Sequence, residues 1–263
     1  MTAERGQAMA SHANRKRNGM AFGVDPTRKQ FYSLRQARYD RLGEQVAELG
    51  HQLLKEKGRK ADVLDIGPWD GVMLRHLEGH GGLEAVSYSA ADLALYEGFY
   101  GKAHIKRFFP GNLMDGYPEI ESEAYDVVVC EQVLEHLSET PNAIKTLERV
   151  LRPGGTLIVG VPIFMPPLHL IRHWGQPRWD RIFPPGKVRG HLQSFSAASI
   201  KAQFAALTSL EMTDIRGFRI FSGGVFAPLE EKEWWWRLAR AAGRIAPSLC
   251  VEIQITYKKP LTG

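Results

Sequence analysis

Cysteine is scarce: Cys130 and Cys250 are the only two in 263 residues. Two thiols cannot build a disulfide framework, and such usage fits a reducing compartment. Long apolar runs are missing too. A membrane-spanning helix needs about 20 mostly apolar residues, and the best stretch, Ile158 to Ile171, is broken by Pro162, Pro166 and Pro167. The first thirty residues are polar and basic, without the apolar core of a secretory signal. The expected location is therefore cytoplasmic. No internal repeat or low-complexity tract is present, which excludes solenoid and fibrous architectures. No histidines fall at metal-ligand spacing, and no metal is expected.

What is present is ordinary folding material. Apolar residues make up 44% of the chain and charged residues 24%, enough for one sizeable core rather than a disordered chain. The formal charge is +5, part of it carried by Arg5, Arg15, Lys16, Arg17, Arg28 and Lys29. Residues 1–30 read as a flexible basic arm, solvated or drawn to phosphate. Residues 31–263 read as one domain.

From Phe31 to Lys57 apolar residues recur at three-to-four spacing, which predicts a long amphipathic helix. Alternation follows: strand Val63–Ile66, helix Val72–His80, strand Leu83–Tyr88, helix Leu93–Tyr100, strands His104–Phe108 and Tyr125–Cys130, helix Asn142–Leu151 and strand Thr156–Val161. Strands alternating with helices imply a doubly wound α/β fold with a parallel sheet, whose ligands bind at the carboxyl ends of the strands. Trp234 to Trp236 open a further helix, expected to turn its apolar side to the sheet. The stretch Val251 to Pro260 closes the chain with a final strand.

The most informative stretch is Ala61 to Gly71, ADVLDIGPWDG. An apolar strand ends in Asp65 and passes into a turn, Gly67, Pro68, Trp69, Asp70 and Gly71, before a helix. Backbone N–H groups in such a turn can approach a ligand closely. A dinucleotide site requires Gly-x-Gly-x-x-Gly, and here Trp69 fills the middle glycine position. The stretch instead resembles the first motif of class I S-adenosylmethionine-dependent methyltransferases. Two further segments resemble the same family in the same order: AYDVVVCEQVLEHL, like the fourth-strand motif of its small-molecule members, and ERVLRPGGTLIVGVP, like its entry into the fifth strand.

That resemblance implies a Rossmann-like, seven-stranded, mostly parallel sheet with an N-terminal helical cover, and S-adenosylmethionine as cofactor. It implies that the Gly67–Gly71 turn wraps the cofactor's amino-acid end and ribose, with Asp65 and Glu131 beside it. Asp92 would accept hydrogen bonds from the ribose diol, or else cap the following helix. Asn112 and Leu113 would meet adenine, with Asp115 as rival. Methyl transfer needs a base only where the acceptor must lose a proton. His136 fits that task, as histidine ordinarily titrates near about 6.5, though it and Glu135 could simply order their loop. His191, opening a segment that resembles the family's histidine-then-helix element, is a second candidate. Cys130 reads better as a small core residue than as a nucleophile.

Residues 162–192 are rich in proline, arginine and aromatics, and are expected to form a cover over a small-molecule substrate, with acidic and lipid-linked molecules among the candidates. The expected reaction is methylation of an oxygen or nitrogen of that acceptor. The alternatives are an RNA methyltransferase and a catalytically silent cofactor-binding protein. Nucleic acid is disfavoured by the modest charge and by the absence of an Asn-Pro-Pro-Tyr run. The tryptophans and arginines of the late helix leave peripheral membrane contact open. The oligomeric state is not legible.

Overall fold

The computed structural model describes residues 37–164, 192–220, 228–229 and 232–261. The basic arm, His191 and most of the 162–192 segment lie outside them. Helix α1 (Ala37–Lys57) comes first, then β1 (Ala61–Ile66), α2 (Val72–Gly79), β2 (Val86–Asp92), β3 (Ile105–Pro110) and β4 (Tyr125–Glu131). Helix α3 (Pro141–Val150), β5 (Leu151–Pro162), α4 (Ala197–Leu207), β6 (Glu211–Phe218), α5 (Glu233–Ile245) and β7 (Glu252–Lys258) complete the order.

The seven strands form one sheet in the order β3-β2-β1-β4-β5-β7-β6. β1 pairs parallel with β2 and β4, while β7 runs antiparallel between β5 and β6. Every residue of β4 is buried, as expected of a central strand covered on both faces. One apolar core lies between the sheet and α3 and α4, built on Ile144, Leu147, Ile200 and Phe204. The other lies under α1 and α2, built on Leu42, Val46, Leu74 and Leu77. The doubly wound, mostly parallel sheet and its helical cover are as expected. The chain leaves β1 toward β3 and returns to β4 on the other side, so the switch point lies between the carboxyl ends of β1 and β4.

Three local expectations are corrected. Leu93–Tyr100 is not a helix but an irregular segment. Gly98 and Gly101 weaken a helix there. The segment also spends its backbone on the glycine turn, Tyr100 N–H donating to the Asp70 carbonyl at 2.8 Å, while Phe99 enters the core. The second strand begins at Val86 rather than Leu83, because Leu83 to Ala85 form the connecting turn.

The third correction concerns α5. It buries only Ala239 and Gly243, and Trp234, Leu238 and Ile245 point to solvent. A Cβ on Gly243 would lie 1.9 Å from the Gly217 carbonyl oxygen. The helix therefore packs on β6 where Gly243 lets backbones touch, with the Trp235 and Trp236 indole nitrogens buried and Trp234 turned to solvent.

Candidate active site

A cavity of about 580 Å³ opens at the switch point, within the range of small-molecule sites. Asp65, Gly67, Pro68, Trp69, Asp92, Asn112, Leu113, Glu131 and His136 all line it. Four separate loops at the strand ends thus converge, as the sequence predicts. Asp70 and Gly71, the last two residues of the turn, are not among the cavity's lining residues. Asp70 Oδ1 accepts the Val72 N–H at 3.2 Å, and Gly71 N–H donates to the Pro68 carbonyl at 2.9 Å, which fixes how the turn enters α2.

Local backbone explains how the loops reach in. Gly67 has φ +70°, and a Cβ there would meet Val133 Cγ2 at 2.3 Å, so the turn closes only on glycine. Five non-glycine residues have positive φ among those described, and Trp69, Tyr117 and Gln132 all line the cavity. Such conformations cost of order 1–3 kcal/mol each and concentrate where a ligand is held. Asn112 uses its side-chain oxygen to accept the Met114 N–H at 3.0 Å, capping the one-turn helix Leu113–Asp115. One lone pair of that oxygen is left for a ligand. Leu113 is buried against the cavity, while Asp115 is not among its lining residues.

The walls carry three carboxylates. Burial pushes Asp65 up to about 7, against a hydrogen bond from Tyr88 at 2.8 Å, with Asp92 and Glu131 adding repulsion. Burial likewise pushes Glu131 up to about 7, against Arg38 and Gln254. Asp92 is raised by burial, while the Leu93 and Trp69 N–H groups pull the other way. Crowded acids that resist ionisation are relieved by a cation placed among them.

Arg38 and Tyr39, at the start of α1, form part of the wall and were not singled out from the sequence. Arg38 Nε lies 3.1 Å from Glu131, Nη1 pairs with Glu252, and Nη2 donates to the Tyr39 hydroxyl at 3.3 Å. Burial opposes its charge, but Glu252, Tyr39 and Glu131 outweigh that and raise its pKa. Gln254 donates to Glu131 at 2.8 Å and to the Arg38 carbonyl at 3.0 Å, closing the network onto β7.

His136 ends the one-turn helix Leu134–His136 and is 46% exposed, its Nε2 lying 3.9 Å from a Glu135 oxygen. Glu135 is fully buried and no other residue hydrogen-bonds its carboxyl oxygens, while its backbone carbonyl accepts the Leu192 and Gln193 N–H groups. Burial pushes Glu135 up to about 8, with Glu131 and Glu252 adding to it and its own N–H and Arg38 opposing. The folded state thus holds a proton that the unfolded chain, at an ordinary value of about 4.3, has lost. The Glu135 contribution to stability is fully present below the ordinary carboxyl range and is lost as pH rises from there through about 8. Glu135→Gln is expected to flatten the fall in melting temperature between pH 5 and pH 8; a variant with the wild-type pH profile would contradict this. Burial also pushes the Cys130 thiol well up, so it serves the core and not as a nucleophile.

The sequence profile of a methyltransferase-domain family matches residues 35–207, more than half of the chain. The chain belongs to that family. No curated protein matches it in sequence. Among solved structures it is similar to the Haloferax volcanii complex between the Trm112 methyltransferase activator and a provisionally assigned methyltransferase. That match has 15% identity and TM-score 0.52, covering 86% of this chain and 96% of the other. A provisionally assigned sarcosine dimethylglycine methyltransferase of Galdieria sulphuraria has 17% identity and TM-score 0.52, with 82% and 86% covered. A provisionally assigned methyltransferase of Bacillus halodurans has 15% identity and TM-score 0.52, with 82% and 98% covered. At these identities the likeness is one of fold.

The protein is an S-adenosylmethionine-dependent methyltransferase. The three carboxylates in its cavity wall, Asp65, Asp92 and Glu131, suit the charge of that cofactor, whose sulfonium and ammonium groups are cationic, and would repel the diphosphate of a dinucleotide.

Proposed function

We propose that this methyltransferase acts on an oxygen or nitrogen of a small-molecule acceptor, with His136 taking up the proton that the acceptor loses. The observation that supports this reading most is the position of His136: half-exposed, on the cavity wall, five residues beyond Glu131, the last residue of β4 and itself a lining residue. When bound, the cofactor supplies an electrophilic methyl group. The chain's residues do the rest. Asp92 accepts from the ribose hydroxyls, Asn112 and Leu113 hold adenine, and the Gly67–Gly71 turn with Asp65 and Glu131 receives the amino-acid end. Val133, Leu137 and Met73 present apolar surface that keeps water from the reacting centre. His191 is proposed as a second acceptor-facing histidine, since Leu192 and Gln193 next to it are tied to the Glu135 carbonyl.

Positioning supplies most of the rate of such a displacement, and a general base typically contributes about 10²–10⁴-fold. His136→Ala is therefore expected to lower kcat at least about 10²-fold while leaving cofactor affinity within about twofold. The acceptor class is read by following labelled methyl from S-adenosylmethionine into metabolite, RNA and protein fractions of an extract. Label in the metabolite fraction supports the proposal; label confined to RNA would overturn it. Equal His136→Ala activity across the pH range would remove the proton-acceptor role.

A further inference from the structure

Helix α5 carries a surface that methyl transfer does not use. Of the twelve large apolar side chains exposed among the described residues, five fall between Trp234 and Val251. Trp234, Leu238, Ala241 and Ile245 succeed one another at helical spacing and form one stripe. Their exposure is high, 57% for Trp234, 53% for Leu238 and 86% for Ile245. The opposite face holds Ala239 and Gly243 and is seated on β6. The stripe consequently points straight away from the body of the protein.

Its flank is basic. Between Glu233 and Val251 the one acid is Glu233, against Arg237, Arg240 and Arg244. Arg237 pairs with Glu233 one turn back, Arg240 pairs with Asp40 at 2.7 Å, and Arg244 is exposed with no ion-pair partner among the described residues. The Arg240–Asp40 pair ties α5 to α1 one residue beyond Tyr39 in the cavity wall.

We infer that α5 docks the enzyme on an anionic phospholipid bilayer, its apolar stripe entering the interface and the exposed Arg237 and Arg244 meeting the headgroups. Width and charge favour this occupant over a second copy. A stripe one helix wide and about 16 Å long exposes a few hundred Å², short of the about 800 Å² per partner of a stable dimer. An interfacial helix needs no more than such a stripe with Arg and Trp beside it. A second copy of the stripe would also bring like-charged arginines together. No helix among the described residues is long and apolar enough to cross a membrane, so the contact is peripheral.

The test is co-sedimentation of the full chain with vesicles of phosphatidylcholine alone and of phosphatidylcholine with phosphatidylglycerol. Leu238→Glu combined with Ile245→Glu is the variant, both sites being solvent-exposed. Melting temperature and S-adenosylmethionine binding serve as checks that it folds. Binding to the anionic vesicles, weakened by salt and reduced at least about tenfold in the variant, is the expected result. Three results would overturn the inference: no binding to anionic vesicles, binding unchanged in the variant, or a wild-type dimer in solution that the variant dissolves.

Discussion

Asp92→Ala is expected to weaken S-adenosylmethionine binding by about tenfold or more, the usual scale for losing a charge-assisted hydrogen-bond pair. Asp92 is the last residue of β2, at the cavity wall, held by the Leu93 N–H at 2.7 Å. That bond leaves carboxylate lone pairs free for a diol. Removal of the side chain also takes one of three acids away from a cationic ligand. Asp92→Asn keeps the shape and an acceptor but loses the charge, and should fall between wild type and alanine. Titration calorimetry measures all three. Equal affinity in wild type and Asp92→Ala would sink the ribose assignment without touching the fold.

The second large effect is on stability. Arg38→Ala leaves the buried carboxylate of Glu131 without its cation and Glu252 with only Arg219, at 3.7 Å. Breaking a buried pair from one side costs about 3–5 kcal/mol, because the remaining charge stays desolvated. For a chain of this size that is a drop in melting temperature of about 10 °C. Glu131→Gln placed on top of Arg38→Ala removes one stranded charge and should recover part of the loss, a coupling that a double-mutant cycle reads directly. A shift below about 2 °C for the single variant, near the scale of about 1 kcal/mol, would mean that water replaces the guanidinium. Loss of Arg38 should also lift Glu131 and Glu135 further above the ordinary carboxyl range, since Arg38 opposes the rise in both.

The contrast between these two residues shows what the chain discloses by itself. Asp92 could be nominated because it stands just past the strand expected after a glycine turn written in consecutive residues, although Gly79–Gly82 lengthens the connection between them. Glu131 and His136 were legible for the same reason, at the tip of a four-residue apolar strand. Arg38 was not. A lone arginine near the start of an amphipathic helix looks like any solvated charge, and its partner Glu252 lies 214 residues away. Long-range pairing of that kind leaves no local pattern.

Packing decided the other differences. In Leu93–Tyr100 helical residues were overruled by the backbone bonds between Tyr100 and the turn at Asp70. Edge strand β6 went unassigned because six of its eight residues are not buried, which removes the apolar alternation that marks a strand. In α5 the sequence shows an amphipathic helix but not which side faces in. Close packing of Gly243 on Gly217 settled that in favour of the small residues.

The central claim is that the cavity between β1 and β4 is built for a cationic sulfonium cofactor and not for a dinucleotide. Calorimetric titration of the purified protein with S-adenosylmethionine and S-adenosylhomocysteine, beside NAD, tests it most directly. Dissociation constants of about 10⁻⁶ M for the first two, near 8 kcal/mol of binding free energy, and no heat with NAD are the predicted result. Binding of NAD in the same cavity, or silence from all three ligands, would contradict it.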